Sequence, residues 1–345
     1  MKIAIVNHTV IGLNTLRRIV QAVPYYQVAW TAKNGDEAII KCRVNCPDLI
    51  LMDIMMLAMD GAEATQYIMK NSPCAILIVT KSTQDNISQV YAAMGHGALD
   101  AVDMPVIDTE NFSEMTDKLL GKIARIAKLI KNSSIPRKIP RKINLERHHQ
   151  VFTSMQLVAI GASTGGPKAL AAILSKLPAN FNAAVAIVQH VDGNFSSGFA
   201  DWLNQQTPLP VRLAVPGDRL QKGTVLIAGT NDHLCLKPDL TLTYTQNPLD
   251  YPYRPSVNVF FKSLAEHWQN KGTAILLTGM GKDGAEGLSV LKLQGWHTIA
   301  QNQESCIVYG MPKAAVELNA AVQVLSLESI AANLLKSFAI QSPRG

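Results

Sequence analysis

The sequence predicts an α/β protein made of two successive domains, and three observations carry that reading. Short apolar runs alternate with amphipathic stretches over residues 1 to about 110, and the alternation resumes near residue 156. Between them lies a basic stretch broken by prolines. A chain of 345 residues is long enough for two cores. The expected division is a first domain over 1–130, a linker over 131–153 and a second domain over 154–345.

In the first domain, residues 3–6, 27–31, 49–52, 75–79 and 99–102 read as five strands. Amphipathic stretches such as 13–23 and 62–70 read as the helices between them, with a further helix over about 114–130. Strand and helix in repeated alternation imply a parallel sheet covered on both faces. The second domain repeats the pattern, with strands at 157–160, 184–188, 273–277 and 297–300. Between 211 and 245 shorter runs punctuated by turn residues read as β-hairpins. The expectation is a doubly wound α/β domain with a small antiparallel insert.

Composition narrows the class. A hydrophobic fraction of 48% fits a folded globular chain, and no apolar stretch approaches the roughly 20 residues that cross a bilayer. No membrane insertion and a cytoplasmic location are expected. Five scattered cysteines, an odd number, argue against a disulfide framework. Cys42 and Cys46 stand four apart with no second pair at zinc-finger spacing, so they read as buried small hydrophobes rather than metal ligands. The formal charge of +6 invites a nucleic-acid partner, but ten Lys or Arg residues crowd between Lys118 and Arg147, four of them around Pro136 and Pro140. Such a stretch reads as a solvated linker, and no nucleic-acid partner is expected.

The segment Gly161-Ala162-Ser163-Thr164-Gly165-Gly166 follows the apolar strand 157–160 and precedes a helical run. A serine on a strand-to-helix turn is where many hydrolases place a nucleophile: the strand projects the hydroxyl, and the helix N-terminus offers N–H groups to an oxyanion. The same glycine-rich turn equally describes a phosphate cradle. Against a P-loop, Pro167 stands at the lysine position and Lys168 falls one place late.

Asp53 ends the strand 49–52, and ligands in open α/β sheets bind beyond strand carboxyl ends. Thr80 and Asp103-Met104-Pro105 end the next two strands. With Met59-Asp60-Gly61 and Gly97-Ala98, this arrangement resembles the receiver domain of response regulators over about the first 105 residues. The resemblance implies a flavodoxin-like, five-stranded parallel sheet with Asp53 as the candidate phosphoacceptor. The pocket departs from that family, because Asn7 and His8 replace an acidic pair and Met104 replaces a lysine. An amide and an imidazole are poor substitutes for hard carboxylate ligands, so Mg²⁺ binding is in question and Asp53 is expected to be phosphorylated poorly or not at all. The plain alternative makes Asp53 a polar residue at a strand end.

His190 ends the strand 184–188, and Asp283 lies in the loop Thr278-Gly279-Met280-Gly281-Lys282-Asp283-Gly284 after the strand 273–277. Three strands thus bring Ser163, His190 and Asp283 to one edge of the sheet. The chain order Ser, His, Asp differs from the order in α/β-hydrolases. The serine turn, Gln189-His190, the Asp283 loop, Arg254-Pro255-Ser256-Val257, Ala300-Gln301-Asn302, Ser305-Cys306 and Gly310-Met311-Pro312 together resemble the catalytic domain of chemotaxis protein-glutamate methylesterases, the CheB family. Tyr253 and Asn258 stand where that family has histidine and aspartate, and neither is expected to touch the triad.

The resemblance implies a carboxylic-ester hydrolase in which Ser163 attacks a glutamate γ-methyl ester, His190 acts as base and then acid, and Asp283 orients the imidazole. N–H groups at Thr164 and Met280 would receive the oxyanion, and no cofactor is needed. It also implies glutamine deamidation, a methylated chemoreceptor-type protein as substrate and a histidine kinase of the same pathway as partner. Asn7, His8 and Met94-Gly95-His96-Gly97-Ala98-Leu99-Asp100 resemble a surface-sensing branch of the Wsp type. A nucleotide-binding module and a non-catalytic response regulator are the rival readings.

Overall fold

The computed structural model describes residues 1–132 and 156–338, apart from Ala58, Asp108, Glu110, Asp250 and Pro252. Most of the linker read at 131–153 therefore lies outside the described residues.

The first domain runs β1 (Lys2–Val6), α1 (Val10–Gln21), β2 (Gln27–Ala32), α2 (Gly35–Val44), β3 (Leu49–Met52), α3 (Gly61–Asn71), β4 (Ala75–Thr80), α4 (Ile87–His96), β5 (Asp100–Asp103) and α5 (Phe112–Asn132). Side-chain caps start the first three helices: Thr9, Asn34 and Asp60 accept the N–H groups of Gly12, Glu37 and Glu63. All strand pairs are parallel, in the order β2-β1-β3-β4-β5. The unbroken run Leu49-Ile50-Leu51-Met52 is apolar on both sides because both faces are covered. Leu49 and Leu51 enter one core with Leu16 and Ile123, while Ile50 and Met52 enter the other with Ile39 and Ile68. Each buried aliphatic side chain contributes about 1.5–3 kcal/mol relative to exposure.

The second domain runs β6 (Leu157–Ala162), α6 (Gly166–Leu174), β7 (Ala184–Gln189), α7 (Gly193–Asn204), β8 (Val211–Leu213), β9 (Val225–Ile227), β10 (His233–Leu236), β11 (Leu242–Thr245), α8 (Val257–His267), β12 (Thr273–Leu276), α9 (Ala285–Leu293), β13 (His297–Gln301), α10 (Met311–Glu317), β14 (Gln323–Leu325) and α11 (Leu327–Ser337). Seven strands form one sheet in the order β14-β13-β12-β6-β7-β9-β8, every pair parallel. Among the described residues, β10 and β11 alone form an antiparallel hairpin. The hairpin reading of 211–245 is corrected in part, because β8 and β9 extend the main sheet as a parallel pair. Three-residue strands show no periodicity from which direction could be read, and the same brevity hid β14.

The chain leaves β6 toward β7 on one side and later returns to place β12 on the other. The carboxyl end of β6 is therefore a topological switch point, where open α/β sheets form their crevice. The domains meet through α4, which packs on α6 and α7. The Tyr91 ring lies 5.1 Å from Phe199 and 6.0 Å from Trp202, and its hydroxyl donates to the Phe195 carbonyl at 3.2 Å.

Candidate active site

Three neighbouring strands, β12, β6 and β7, end at this crevice and deliver the residues singled out in the sequence. Ser163 follows β6 directly and is half-buried. Its N–H donates to the Thr278 carbonyl at 3.0 Å, and its own carbonyl accepts from Gly166 N–H at 2.8 Å and Gln189 Nε2 at 2.9 Å. The turn is completed by Gly165 in a left-handed conformation, φ 79°, pressed against Ile307. Across the crevice Gly279 approaches so closely that a Cβ there would lie 2.7 Å from Ser163 Cβ.

His190 follows β7, and its Nε2 lies 2.8 Å from Asp283 Oδ2. Their side chains are only 9% and 4% exposed. The other ring nitrogen, Nδ1, is buried with no hydrogen-bond partner. The structure thus joins His190 to Asp283 and holds Ser163 on the adjacent strand, without a hydrogen bond from its hydroxyl to the imidazole.

Asp283 sits over the N-terminus of α8. Oδ2 accepts Val257 N–H at 2.7 Å, while Oδ1 accepts Asn258 N–H at 3.0 Å, Ser256 Oγ at 2.8 Å and Gly284 N–H at 3.0 Å. Burial alone would raise the carboxyl; the imidazole, the Asn258 N–H and the Ser256 hydroxyl outweigh it and hold Asp283 below the ordinary carboxylate range. The N–H groups of Thr164 and Met280 donate to no group among the described residues.

One expectation is corrected. Tyr253 stacks on His190, with ring centroids 4.6 Å apart and planes at 9°, and the Asn258 N–H is one of the donors to Asp283. Tyr253, expected to lie clear of the triad, touches it because the loop before α8 wraps over the crevice, whereas Asn258 meets Asp283 only through its backbone N–H and its side chain accepts Gly287 N–H at 2.8 Å. Sequence reasoning also gave no role to Gln189, Ser256 and Gln301. Gln301 Oε1 accepts Thr278 N–H at 2.8 Å, fixing the loop that carries Gly279. A serine before the helical run from Val257 is a cap signature, and that was the available clue.

The first domain builds its own crevice at β1 and β3. Asp53, 4% exposed, is bonded through Oδ2 to His8 Nδ1 at 2.8 Å, and Oδ1 accepts Met55 N–H at 3.3 Å. Burial dominates here: despite the imidazole, Asp53 is raised above the ordinary carboxylate range. Asn7 Oδ1 is taken by the Thr9 N–H at 2.9 Å and hydroxyl at 2.7 Å, and Asn7 Nδ2 faces Met104 Sδ at 3.8 Å. Thr80 Oγ1 accepts Asn86 Nδ2 at 3.3 Å. Asn7 and His8 do not fit Mg²⁺, since one amide oxygen is consumed and the imidazole is bonded to the carboxylate the ion would need.

Known proteins place this geometry. The family profile of CheB methylesterase matches residues 158–334, and that of the response regulator receiver domain matches residues 3–116. The chain is 47% identical over 341 residues to the protein-glutamate methylesterase/protein-glutamine glutaminase 3 of Pseudomonas aeruginosa, covering 98% of this chain and 100% of the relative. The corresponding protein of the group 3 operon of Pseudomonas putida is 48% identical over 339 residues, with 98% and 100% covered. Among solved structures, the catalytic domain of Thermotoga maritima CheB methylesterase superposes with a TM-score of 0.51 at 36% identity, over 54% of this chain and 100% of that one. The fold and site define an α/β hydrolytic domain behind a receiver. The chain belongs to the CheB methylesterase family.

Proposed function

We propose that this chain hydrolyses glutamate γ-methyl esters on chemoreceptor-type signalling proteins from the cytoplasm, with Ser163 as nucleophile. The observation that supports it best is the His190–Asp283 pair, which leaves one imidazole nitrogen open on the strand beside Ser163.

Asp283 accepts a hydrogen bond from Nε2–H, which leaves Nδ1 of the ring to act as the base. Nδ1 takes the Ser163 hydroxyl proton as the serine oxygen bonds to the ester carbon. The oxyanion falls to the N–H groups of Thr164 and Met280, each such donor being worth about 10² to 10³ in rate. The imidazolium then protonates the departing methoxide, releasing methanol. Water repeats the sequence on the acyl-enzyme: it gives a proton to Nδ1, its oxygen bonds to the carbonyl carbon, and Ser163 leaves with the proton returned. A glutamine side chain follows the same course with ammonia as leaving group, which accords with the double name of the relatives.

The receiver acts through α4, which packs on the helices that follow Ser163 and His190. Asp53 is phosphorylated poorly or not at all. Methanol release from methylated receptor tests the assignment: Ser163→Ala should fold and lose at least about 10³-fold in rate. Full activity in that variant would refute it.

A further inference from the structure

Outside both crevices the described residues hold one cluster of soft ligands. Cys42 lies in the last turn of α2, Cys46 two residues beyond the helix, and Cys74 directly before β4. One sulfur from each lies within 4.8 Å of the other two. The sequence reading of Cys42 and Cys46 as buried hydrophobes holds for only one of them: Cys42 is buried, Cys74 is half-buried and Cys46 is exposed. The fold adds a third thiol that no linear spacing announced.

We propose that Cys42, Cys46 and Cys74 form a binding site for a thiophilic d¹⁰ cation, zinc(II) or copper(I). Three sulfurs and no carboxylate exclude the hard cations and select this class. The Cys42 and Cys46 sulfurs are 3.9 Å apart, close to the ~3.8–4.0 Å edge that two 2.3 Å metal–sulfur bonds subtend at tetrahedral or trigonal angles. The same separation is nearly twice the ~2.05 Å of a disulfide bond. Exposure of Cys46 gives the ion a way in.

Both the Cys42 and Cys46 sulfurs lie 3.8 Å from the Ser72 carbonyl, and burial pushes the Cys42 thiol up to about 11 and the Cys74 thiol higher. The metal takes the cysteines as thiolates, so binding forms three metal–sulfur bonds, breaks the S–H bond of each protonated thiol and releases its proton to solvent, and affinity should rise with pH. The cluster stands at the amino end of β4, opposite the end that carries Asp53, so the ion has no part in ester hydrolysis.

The test is titration of the reduced full-length chain with cadmium(II), a zinc surrogate whose thiolate bonds absorb in the ultraviolet, and with copper(I) against a chromophoric chelator. One ion per chain in either arm is expected. Cys46→Ser, at an exposed position that leaves the core intact, and Cys74→Ser should each weaken binding at least about 100-fold, more than loss of an outer partner usually does. Cys235→Ser should leave it unchanged. Absence of binding in both arms would overturn the site, as would an undiminished thiolate band in Cys46→Ser and Cys74→Ser or a reduced-state mass two hydrogens lower.

Discussion

The two domains contain the same pair of groups in the same kind of place, and they differ in what surrounds it. In each, a histidine after one strand meets a buried aspartate at 2.8 Å beyond the carboxyl ends of a parallel sheet. Asp283 receives four further hydrogen bonds, three of them at the start of α8, and is held ionised. Asp53 has only the backbone N–H groups of Met55, at a long 3.3 Å, and Ile54 beside it, and burial raises it. His8 is 43% exposed at the side chain, whereas His190 is 9% exposed and stacked under Tyr253. The two Asp–His pairs thus differ in that only at Asp283 does a helix N-terminus support the carboxylate and a ring restrain the imidazole, the support that suits the pair to the proposed chemistry.

The sharpest way to break the contrast is phosphorylation. With a small-molecule phosphodonor and Mg²⁺, the intact mass of the full-length chain should stay unchanged. Rapid stoichiometric addition of a phosphoryl group, lost in Asp53→Ala, would return the first pocket to an ordinary receiver.

A smaller effect probes the stacked ring. Tyr253→Ala should lower kcat about tenfold, the size of one aromatic contact, whereas Tyr253→Phe keeps the stack and the rate. Equal losses in the two would shift the role to the phenol hydroxyl.

The smallest effect is on stability, and its sign differs between the two sites. A carboxyl held below its ordinary range stabilises the fold above that range, and the contribution is lost as pH falls through the lowered value. One held above its ordinary range costs stability at neutral pH, and the cost disappears as pH falls through the raised value. Asp283→Asn should therefore lower the melting temperature at neutral pH and Asp53→Asn raise it, with both differences shrinking in acid. Calorimetry of the two variants across that range checks the signs.

Much of this was legible in the sequence, for identifiable reasons. Uninterrupted apolar runs such as 49–52 and 184–188 announce strands covered on both faces, and chemistry-bearing residues at their ends announce the crevices. The placement of Ser163, His190, Asp283 and Asp53 beyond strand ends was read that way. Contacts between distant loops were not. Tyr253 over His190 and the Asn258 N–H on Asp283 depend on how the segment before α8 folds back, and Cys74 beside Cys42 depends on the packing around the start of β4. Neither has a local period or spacing. The direction of β8 and β9 was hidden because three residues are too few to show one.

The central claim is that the supported pair does the chemistry and the unsupported pair does not. Methanol release from methylated receptor, measured side by side on Asp283→Asn and Asp53→Asn in the full-length chain, tests it directly. A loss of about 10⁴-fold is expected for Asp283→Asn, from an imidazole left in the wrong tautomer, and about the wild-type rate for Asp53→Asn. Equal losses in the two variants, or an undiminished rate in Asp283→Asn, would contradict it.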